Sequence, residues 1–178
     1  VEKVVLVDDE NHVQGTAPKR TVHDENTELH RGISVYVFDD DGRLLLQQRS
    51  DRKTTWPGFW SNSCCGHPGL DETVLAAARR RCEEELDLTL TRLTVALPEY
   101  QYEFEHNGVV EREICPVLVA QPKSEFNPNP EEVQATDWMA WSDVTSLSDT
   151  TTYTPWFLDE VELLQEAETF TTWFEEVT

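Results

Sequence analysis

The chain has 178 residues, of which 38% are hydrophobic and 10% aromatic, and this composition suits one folded domain over residues 1–178 with a substantial core. Its 35 acidic residues outweigh 14 basic ones and give a formal net charge of -21. Such a surface repels nucleic acid and anionic membranes, and we exclude both as partners. An anionic substrate would need a local site built from Arg, Lys and metal ions.

Strand patterns come first along the chain. The apolar run within residues 1–8 predicts an opening strand. Residues 33–38 and 44–49 are two further strand-like runs, and the Asp-Gly pair between them is typical of a hairpin turn. We therefore predict that these two runs pair with each other.

An aromatic loop and a helix follow. Residues 51–70 are rich in Trp, Pro and Gly, and such large aromatic side chains indicate an ordered loop rather than a disordered linker. Asp71 is positioned to cap a helix over about residues 72–86, where apolar side chains recur at helical spacing. Within this helix Arg81 and Glu85 lie four residues apart and are expected to pair.

The second half of the chain predicts more strands and a final helix. Residues 93–104 and 109–120 read as a hairpin around an Asn-Gly turn. A loop rich in Pro and Asn covers residues 122–130, residues 135–141 predict another strand, and residues 154–174 predict a closing amphipathic helix. This order of elements indicates a mixed α/β sandwich.

The cysteines and the charge bear on the compartment. The four cysteines, Cys64, Cys65, Cys82 and Cys115, lack CxxC spacing, so we expect reduced thiols and a cytoplasmic protein. No run approaches about 18 consecutive apolar residues, and the first residues lack a signal-peptide pattern, so no membrane span is expected. Only four basic residues are Lys, and we favour adaptation to a salty cytoplasm over ordinary acidity for solubility.

Histidines and paired carboxylates suggest a metal site. Glu111 and Glu113 are two residues apart, so a strand places both on one face. An isolated pair of this kind is usually a solvated strand face. Together with His23, His30 and His67, however, these carboxylates can form an octahedral site of three nitrogens and two oxygens, with one position open or a carboxylate shared. Imidazole ligands favour Mn or Zn, and Mg is the alternative.

A second pattern spans residues 66–88 and resembles the Nudix box, a loop and helix whose carboxylates hold a divalent cation on a diphosphate. Phosphate oxygens need hard cations, and helical carboxylates supply rigid oxygen ligands, which is the role we expect for Glu85. The match is degenerate. Arg81 stands where the box usually has Glu, and Asp87 replaces the usual Gly.

The departures from the box favour binding over hydrolysis. A hydrolase uses the missing carboxylate to assemble its metals and activate water, whereas Arg81 suits the neutralisation of phosphate charge. For Glu83 and Glu84 we retain the simpler interpretation of a solvated acidic helix face.

Three segments, residues 55–68, 80–82 and 111–116, are similar to type 1 isopentenyl-diphosphate isomerases. The similarity in order and spacing runs from about residue 4 to residue 156, and the central loop with Asn-Ser-Cys-Cys-Gly-His-Pro is its most specific part. The resemblance implies a Nudix-like mixed-sheet α/β/α sandwich. It also implies a monomer that acts on a prenyl diphosphate.

The same resemblance implies roles for individual residues. The ligands of one divalent ion (Mn, Zn or Mg) would be His23, His30, His67, Glu111 and Glu113. Glu85 would hold a Mg ion that bridges to the diphosphate. The cations around the diphosphate would be Lys19, Arg49, Lys53 and Arg81. Cys65 and Glu113 would transfer protons, with Tyr102 assisting Glu113, and Trp156 would stack near the alkene.

The implied activity is a 1,3-allylic shift that interconverts isopentenyl and dimethylallyl diphosphate. One carbon gains a proton and another loses one, so two positioned acid/base groups are needed in a site that shields a carbocation from water. Two alternatives remain. One is a Nudix hydrolase of a prenyl or nucleoside diphosphate, and the other is a non-catalytic domain with structural Zn on Cys64, Cys65 and His67.

Overall fold

The computed structural model describes residues 2–178. The strands are β1 (Lys3–Val7), β2 (Val13–Pro18), β3 (His30–Arg31), β4 (Ile33–Val37), β5 (Arg43–Arg49), β6 (Trp60–Ser61), β7 (Cys64–Gly66), β8 (Leu90–Leu97), β9 (Gln101–His106), β10 (Val109–Ile114), β11 (Val117–Pro122) and β12 (Val133–Ala140). The helices are α1 (Lys19–Val22), α2 (Val74–Leu86), α3 (Trp141–Val144), α4 (Pro155–Glu166) and α5 (Glu168–Val177).

The strands form mixed sheets. One sheet has the order β2-β1-β3-β10-β9, a second β7-β4-β11-β8, and a third β12-β5-β6. The pairs β3–β10 and β4–β11 are parallel, whereas the other strand pairs are antiparallel. Because β3 and β4 are consecutive, as are β10 and β11, these two parallel contacts bring the first and second sheets together.

Alternate residues of β4 face two helical layers, as the period of a strand requires. Ile33, Val35 and Val37 pack into the apolar cluster that includes the buried face of α2. Tyr36 and the following Phe38 pack into the aromatic cluster that includes α4 and α5. The predicted α/β/α sandwich with mixed sheets is confirmed.

The predicted pairing of residues 33–38 with 44–49 is wrong. β4 and β5 do follow each other across a tight turn, but β4 pairs with β7 and β11, whereas β5 pairs with β6 and β12. Only an isolated bridge between Phe38 and Leu44 joins the two runs among the described residues. The turn motif is local, while the partners of each strand are set by the burial of both of its faces.

Helix boundaries also differ from the prediction. α2 begins at Val74 rather than near residue 72, because Thr73 rather than Asp71 is its cap and accepts a hydrogen bond of 3.1 Å from the Ala76 amide. The closing helix is divided at Ala167, which has an extended backbone with φ of -84° and ψ of 113°.

The long strands predicted in the second half are interrupted. Residues 93–104 contain the end of β8, a turn, and most of β9; residues 109–120 contain β10, a break at Cys115 and Pro116, and most of β11. The hairpin around Asn-Gly is present as β9 and β10. The break at Pro116 moves the chain from the first sheet to the second, since proline cannot donate to a ladder. Across residues 2–178, no helix has the length and apolar character needed to cross a bilayer.

Candidate active site

Three histidines and two glutamates meet where β3 lies beside β10. The parallel register places Glu113 next to His30, and the alternation of β10 turns Glu111 toward the same face. His23 follows α1, and His67 follows β7 at the edge of the second sheet. His30 is fully buried, and both glutamates are 5% exposed.

The Nε2 atoms of the histidines face the carboxylates. His23 Nε2 is 2.9 Å from Glu111 Oε1, and His67 Nε2 is 2.9 Å from Glu113 Oε2. His30 Nε2 lies 3.5 Å from Glu111 Oε1 and 3.2 Å from Glu113 Oε2. The donor atoms of His23, His30 and His67 lie within 4.8 Å of one another, as those of one metal site do.

The hydrogen bonds of His30 fit a metal ligand. Its Nδ1 lies 2.8 Å from the Glu28 carbonyl oxygen, to which it can donate, so Nε2 is the nitrogen that faces the two carboxylates. His30 Nε2 has no hydrogen-bond partner within the described part of the chain. A buried nitrogen without a partner, aimed at two carboxylates, is suited to a divalent cation.

The charges in this cluster are strongly coupled. Burial alone would lower the pKa of His30, but contacts with Glu111 and Glu113 outweigh burial and raise this pKa to about 10. Burial and the neighbouring Glu113 would raise the pKa of Glu111, yet His23 and His30 outweigh them and lower this pKa to about 2. The pKa of Glu113 is held well below its usual value, against burial, by His30 and His67. Both carboxylates are therefore ionised and available as oxygen ligands.

Glu113 has a second partner away from the histidines. The Tyr102 hydroxyl donates a 2.6 Å hydrogen bond to Glu113 Oε1, and Tyr102 is the cross-strand neighbour of Glu113 in the β9–β10 hairpin. The carboxylate also lies directly against Gly32, where any Cβ would overlap it. Glycine at this position thus makes room for Glu113.

Cys65 lies on β7 opposite Ser34 of β4. Its thiol contacts Asn62 Oδ1 at 3.4 Å and the Ser34 hydroxyl at 3.7 Å. Burial, followed by the nearby Glu160, raises the pKa of Cys65 to about 12, so the group is a neutral thiol. Cys64 points the other way, into the apolar cluster that includes α2. This placement separates Cys64 from His67 and opposes a zinc site shared by the two.

A cavity of about 290 Å³ collects the predicted site residues. Cys65, Glu113 and Tyr102 all contribute to its lining. Every other residue assigned a site role from the sequence lines it as well, except His30, which is buried in the histidine and glutamate cluster.

Three of the four predicted substrate-binding cations, Lys19, Lys53 and Arg81, are held by carboxylates. Lys19 Nζ lies 3.2 Å from Glu2 Oε2. Arg81 pairs with Glu85 at 2.5 Å, as predicted from their spacing. Lys53 forms an ion pair with Glu132. Glu85 also accepts a 3.0 Å hydrogen bond from Gln47, so its position is fixed from two sides.

Trp156 closes the apolar side of the cavity. Its ring stacks on Tyr102 with 5.7 Å between centroids and meets Trp56 edge-on at 5.0 Å. The Arg49 guanidinium lies 5.4 Å from the Trp156 centroid and donates to the Thr55 carbonyl. Arg49 therefore bridges the aromatic wall and the loop that follows β5.

Four carboxylates in or near the cavity were not predicted, among them Glu131, which is exposed and lies 4.0 Å from Arg52. Glu2 and Glu132 each pair with a predicted substrate-binding lysine, and Glu160 is fully buried on α4 beside Tyr36. Glu2 and Glu132 carry no periodic or motif signal, so a single sequence could not single them out. Glu160 occupies an apolar position of its helix, between the buried Phe157 and Leu164, and this buried acid was the available signal.

The fold and this site define a Nudix-type domain with a histidine and glutamate centre, and the NUDIX domain family matches residues 28–159. Among solved structures, a Deinococcus radiodurans protein is similar with a TM-score of 0.69 at 18% identity, over 94% of this chain and 99% of that one. A MutT Nudix hydrolase from Burkholderia pseudomallei has a TM-score of 0.61 at 26% identity, over 76% and 97%.

Proteins with similar sequences show which family of Nudix-type domains this chain belongs to. An isopentenyl-diphosphate Delta-isomerase from Saccharopolyspora erythraea is 46% identical over 93% of this chain and 87% of its own. The Mycolicibacterium vanbaalenii protein of the same name is 40% identical over 93% of both chains. This chain belongs to the isopentenyl-diphosphate Delta-isomerase family.

Proposed function

We propose that this protein interconverts isopentenyl diphosphate and dimethylallyl diphosphate by moving one proton onto the substrate and removing another. The observation that carries the proposal is that Cys65 and Glu113 line one cavity together with Lys19, Lys53 and Arg81. Two acid/base groups and a cationic region in one enclosed space are what an allylic shift on a diphosphate requires.

The chemistry assigns a different task to each part of the cavity. One of Cys65 and Glu113 adds a proton to the alkene, whose π electrons form the new C–H bond. The other accepts a proton from the carbon two positions away, and the electron pair of the broken C–H bond forms the new double bond. The reaction is reversible, so the two groups exchange tasks when the direction changes. Tyr102 orients the Glu113 carboxylate through their hydrogen bond.

The aromatic wall protects the intermediate. Protonation of the alkene produces a tertiary carbocation, which water would capture. Trp156 and Tyr102 exclude water from this side, and a desolvated indole face stabilises a cation by about 2 kcal/mol. The buried Trp156 is thus proposed to face the reacting carbons rather than to serve only as core.

Two divalent ions belong to the proposal. His23, His30, His67, Glu111 and Glu113 would hold one, and the chemistry of this donor set fits Mn²⁺, Zn²⁺ or Mg²⁺. Glu85 would hold a Mg²⁺ with the diphosphate. When bound, these ions supply positive charge that neutralises the diphosphate and the buried carboxylates. A cytoplasmic location and a monomeric state are further parts of the same proposal.

The decisive experiment is an isomerase assay with isopentenyl diphosphate and Mg²⁺, run in D₂O. We expect dimethylallyl diphosphate that contains deuterium, since the added proton comes from an exchangeable group. The Cys65→Ala variant should lose turnover while keeping fold and metal content, and Cys64→Ala, the same change one residue earlier, should retain turnover.

A Nudix hydrolase is the second candidate, favoured by the fold it shares with the Burkholderia protein. The same assay separates the two functions. Phosphate release without dimethylallyl diphosphate would refute the isomerase and support the hydrolase. Loss of metal together with the fold in Cys65→Ala would instead indicate a structural metal on that thiol.

A further inference from the structure

Glu132 lies against two of the cations that are proposed to bind the diphosphate. Its Oε2 atom forms an ion pair with Lys53 and lies 3.8 Å from Arg81 Nη2. Its side chain is 27% exposed, and Glu132 lines the same cavity as Cys65 and Glu113. The proposed chemistry gives this carboxylate no task, yet its negative charge stands where negative phosphate oxygens are expected to bind.

The backbone holds Glu132 in place. Its amide donates to the Asn129 carbonyl at 3.0 Å, and its carbonyl accepts from the Ser50 amide at 3.2 Å. Although burial opposes it, Lys53 lowers the pKa of Glu132, with Arg81 acting in the same direction. The cavity therefore contains an ionised carboxylate that is anchored beside Lys53 rather than one that reaches it from a mobile surface loop.

We propose that Glu132 is an internal counterion, which pairs with Lys53 and Arg81 while the site lacks a diphosphate and competes with the diphosphate for them. This inference rests on the proposed function, because it takes the cavity to be a diphosphate site. Glu132 would then be a specificity-determining residue. It weakens the binding of every anion at these cations, and it weakens most the binding of a bare anion that brings no Mg²⁺ to offset part of the carboxylate charge.

The Lys19 pair supports the same reading. Glu2 forms an ion pair with the Lys19 ammonium, and Glu2 lines the same cavity as Glu132 although the two residues are far apart in the sequence. A chain with a net charge of -21 thus keeps even its cationic site close to neutral before a ligand arrives. Removing one internal counterion raises the positive potential felt by the diphosphate, and the gain should depend on salt because screening weakens it.

The test is calorimetric titration with inorganic diphosphate in the presence of Mg²⁺, on the full chain. At low salt we expect Glu132→Gln to bind roughly tenfold more tightly than the unmodified protein, which corresponds to about 1.4 kcal/mol. The difference in affinity between Glu132→Gln and the unmodified protein should become smaller at molar KCl, where the Debye length falls to about 3 Å. Glu125→Gln makes the same charge change on an exposed side chain that does not line the cavity, and its affinity should change less than about twofold.

Two outcomes would overturn the inference. Equal affinities in Glu132→Gln and Glu125→Gln would mean that only the net charge of the protein affects diphosphate binding. Weaker binding in Glu132→Gln would mean that Glu132 positions Lys53 or holds a metal ion. Glu132→Ala, with the melting temperature of each variant, separates charge from misfolding. If the unmodified protein binds no diphosphate, the proposed function fails as well; if it isomerises but the variants are alike, only the counterion role fails.

Discussion

Tyr102 and Glu113 are joined by a hydrogen bond of 2.6 Å across the β9–β10 hairpin, and the two oxygens of the Glu113 carboxylate have different surroundings. Oε1 accepts from the phenol, whereas Oε2 faces His67 and His30. One carboxylate can therefore belong to a metal site and to the reaction cavity. The phenol fixes which oxygen is directed toward each.

Removal of the phenol should therefore slow turnover without removing the metal. A hydrogen bond to a charged group contributes about 1.5–3 kcal/mol, so Tyr102→Phe should lower kcat roughly 10- to 100-fold with little change in KM. Tyr100→Phe is the matched control, since that hydroxyl donates to Asp159 instead. Steady-state kinetics and metal analysis of both variants provide the measurement; an equal loss of kcat in the two would argue against a specific role for Tyr102.

Glu113→Gln should reduce turnover below a few per cent of the original value while most of the fold persists. The amide keeps the shape of the carboxylate, but it is a poor metal ligand and a poor base. Glu103→Gln, on the neighbouring strand and facing Arg112, makes the same change at a 65% exposed side chain and should be silent. Activity and bound metal are measured together, and appreciable activity in Glu113→Gln would contradict the assignment.

Chelation of divalent ions should destabilise the protein. An ion that binds only the folded state at 100 times its Kd contributes about 2.7 kcal/mol, which is roughly 5 to 10 °C in Tm for a chain of this size. His67→Gln should lose most of this response, whereas His12→Gln, at an exposed histidine outside the cluster, should keep it. Thermal melts with EDTA and with each ion added back test this. A Tm that no ion changes would exclude the proposed metal site.

The sequence was most informative where a local signal and a specific motif coincided. The period of the helix predicted α2, and the Asn-Gly pair predicted the β9–β10 turn, because both depend on neighbouring residues. Strand partners depend instead on long-range burial. The Asp-Gly turn before Arg43 was recognised correctly, yet the strands on either side of it belong to different sheets.

The same distinction applies to the site. Spacing could suggest that Glu111 and Glu113 share a face, but only residue type suggested a grouping with His23 across about ninety positions, and the family resemblance then implied the same ligand set. Glu132 lies in an irregular segment that has no periodicity, so nothing in the sequence indicated that it would meet Lys53. Such pairs are created by the fold and become visible only in three dimensions.

The buried acid on α4 should make stability depend on pH. Burial raises the pKa of Glu160 well above its usual value, although the hydroxyls of Ser34 and Tyr36 oppose the rise. Below about pH 4 the group is protonated in both the folded and unfolded chains. As the pH rises, the unfolded chain ionises first, so this group costs up to about 1.4 kcal/mol per pH unit until the folded carboxyl also ionises.

Glu160→Gln should therefore become progressively more stable than the unmodified protein between about pH 4 and the raised pKa. The amide still accepts the hydrogen bond from Tyr36, and the titration of the histidine and glutamate cluster cancels in the difference between the two proteins. Urea unfolding from pH 4 to 8 provides the measurement. Glu162→Gln, exposed on the same helix, should show a constant difference, and a constant difference for Glu160→Gln would rule out a buried neutral acid.

Salt should stabilise the protein if its acidity reflects a salty environment. The last turn of α5 carries Glu175 and Glu176 without any basic residue, so like charges meet the negative end of the helix dipole. Added KCl screens this repulsion and that of the other surface acids. We expect the free energy of unfolding to increase steadily from low to molar KCl. A Glu175→Lys, Glu176→Lys double variant should start about 0.6–2 kcal/mol more stable at low salt and gain less from KCl. Melting curves that do not change between low and molar KCl would exclude salt adaptation, because unscreened repulsion at these positions would then have no measurable cost.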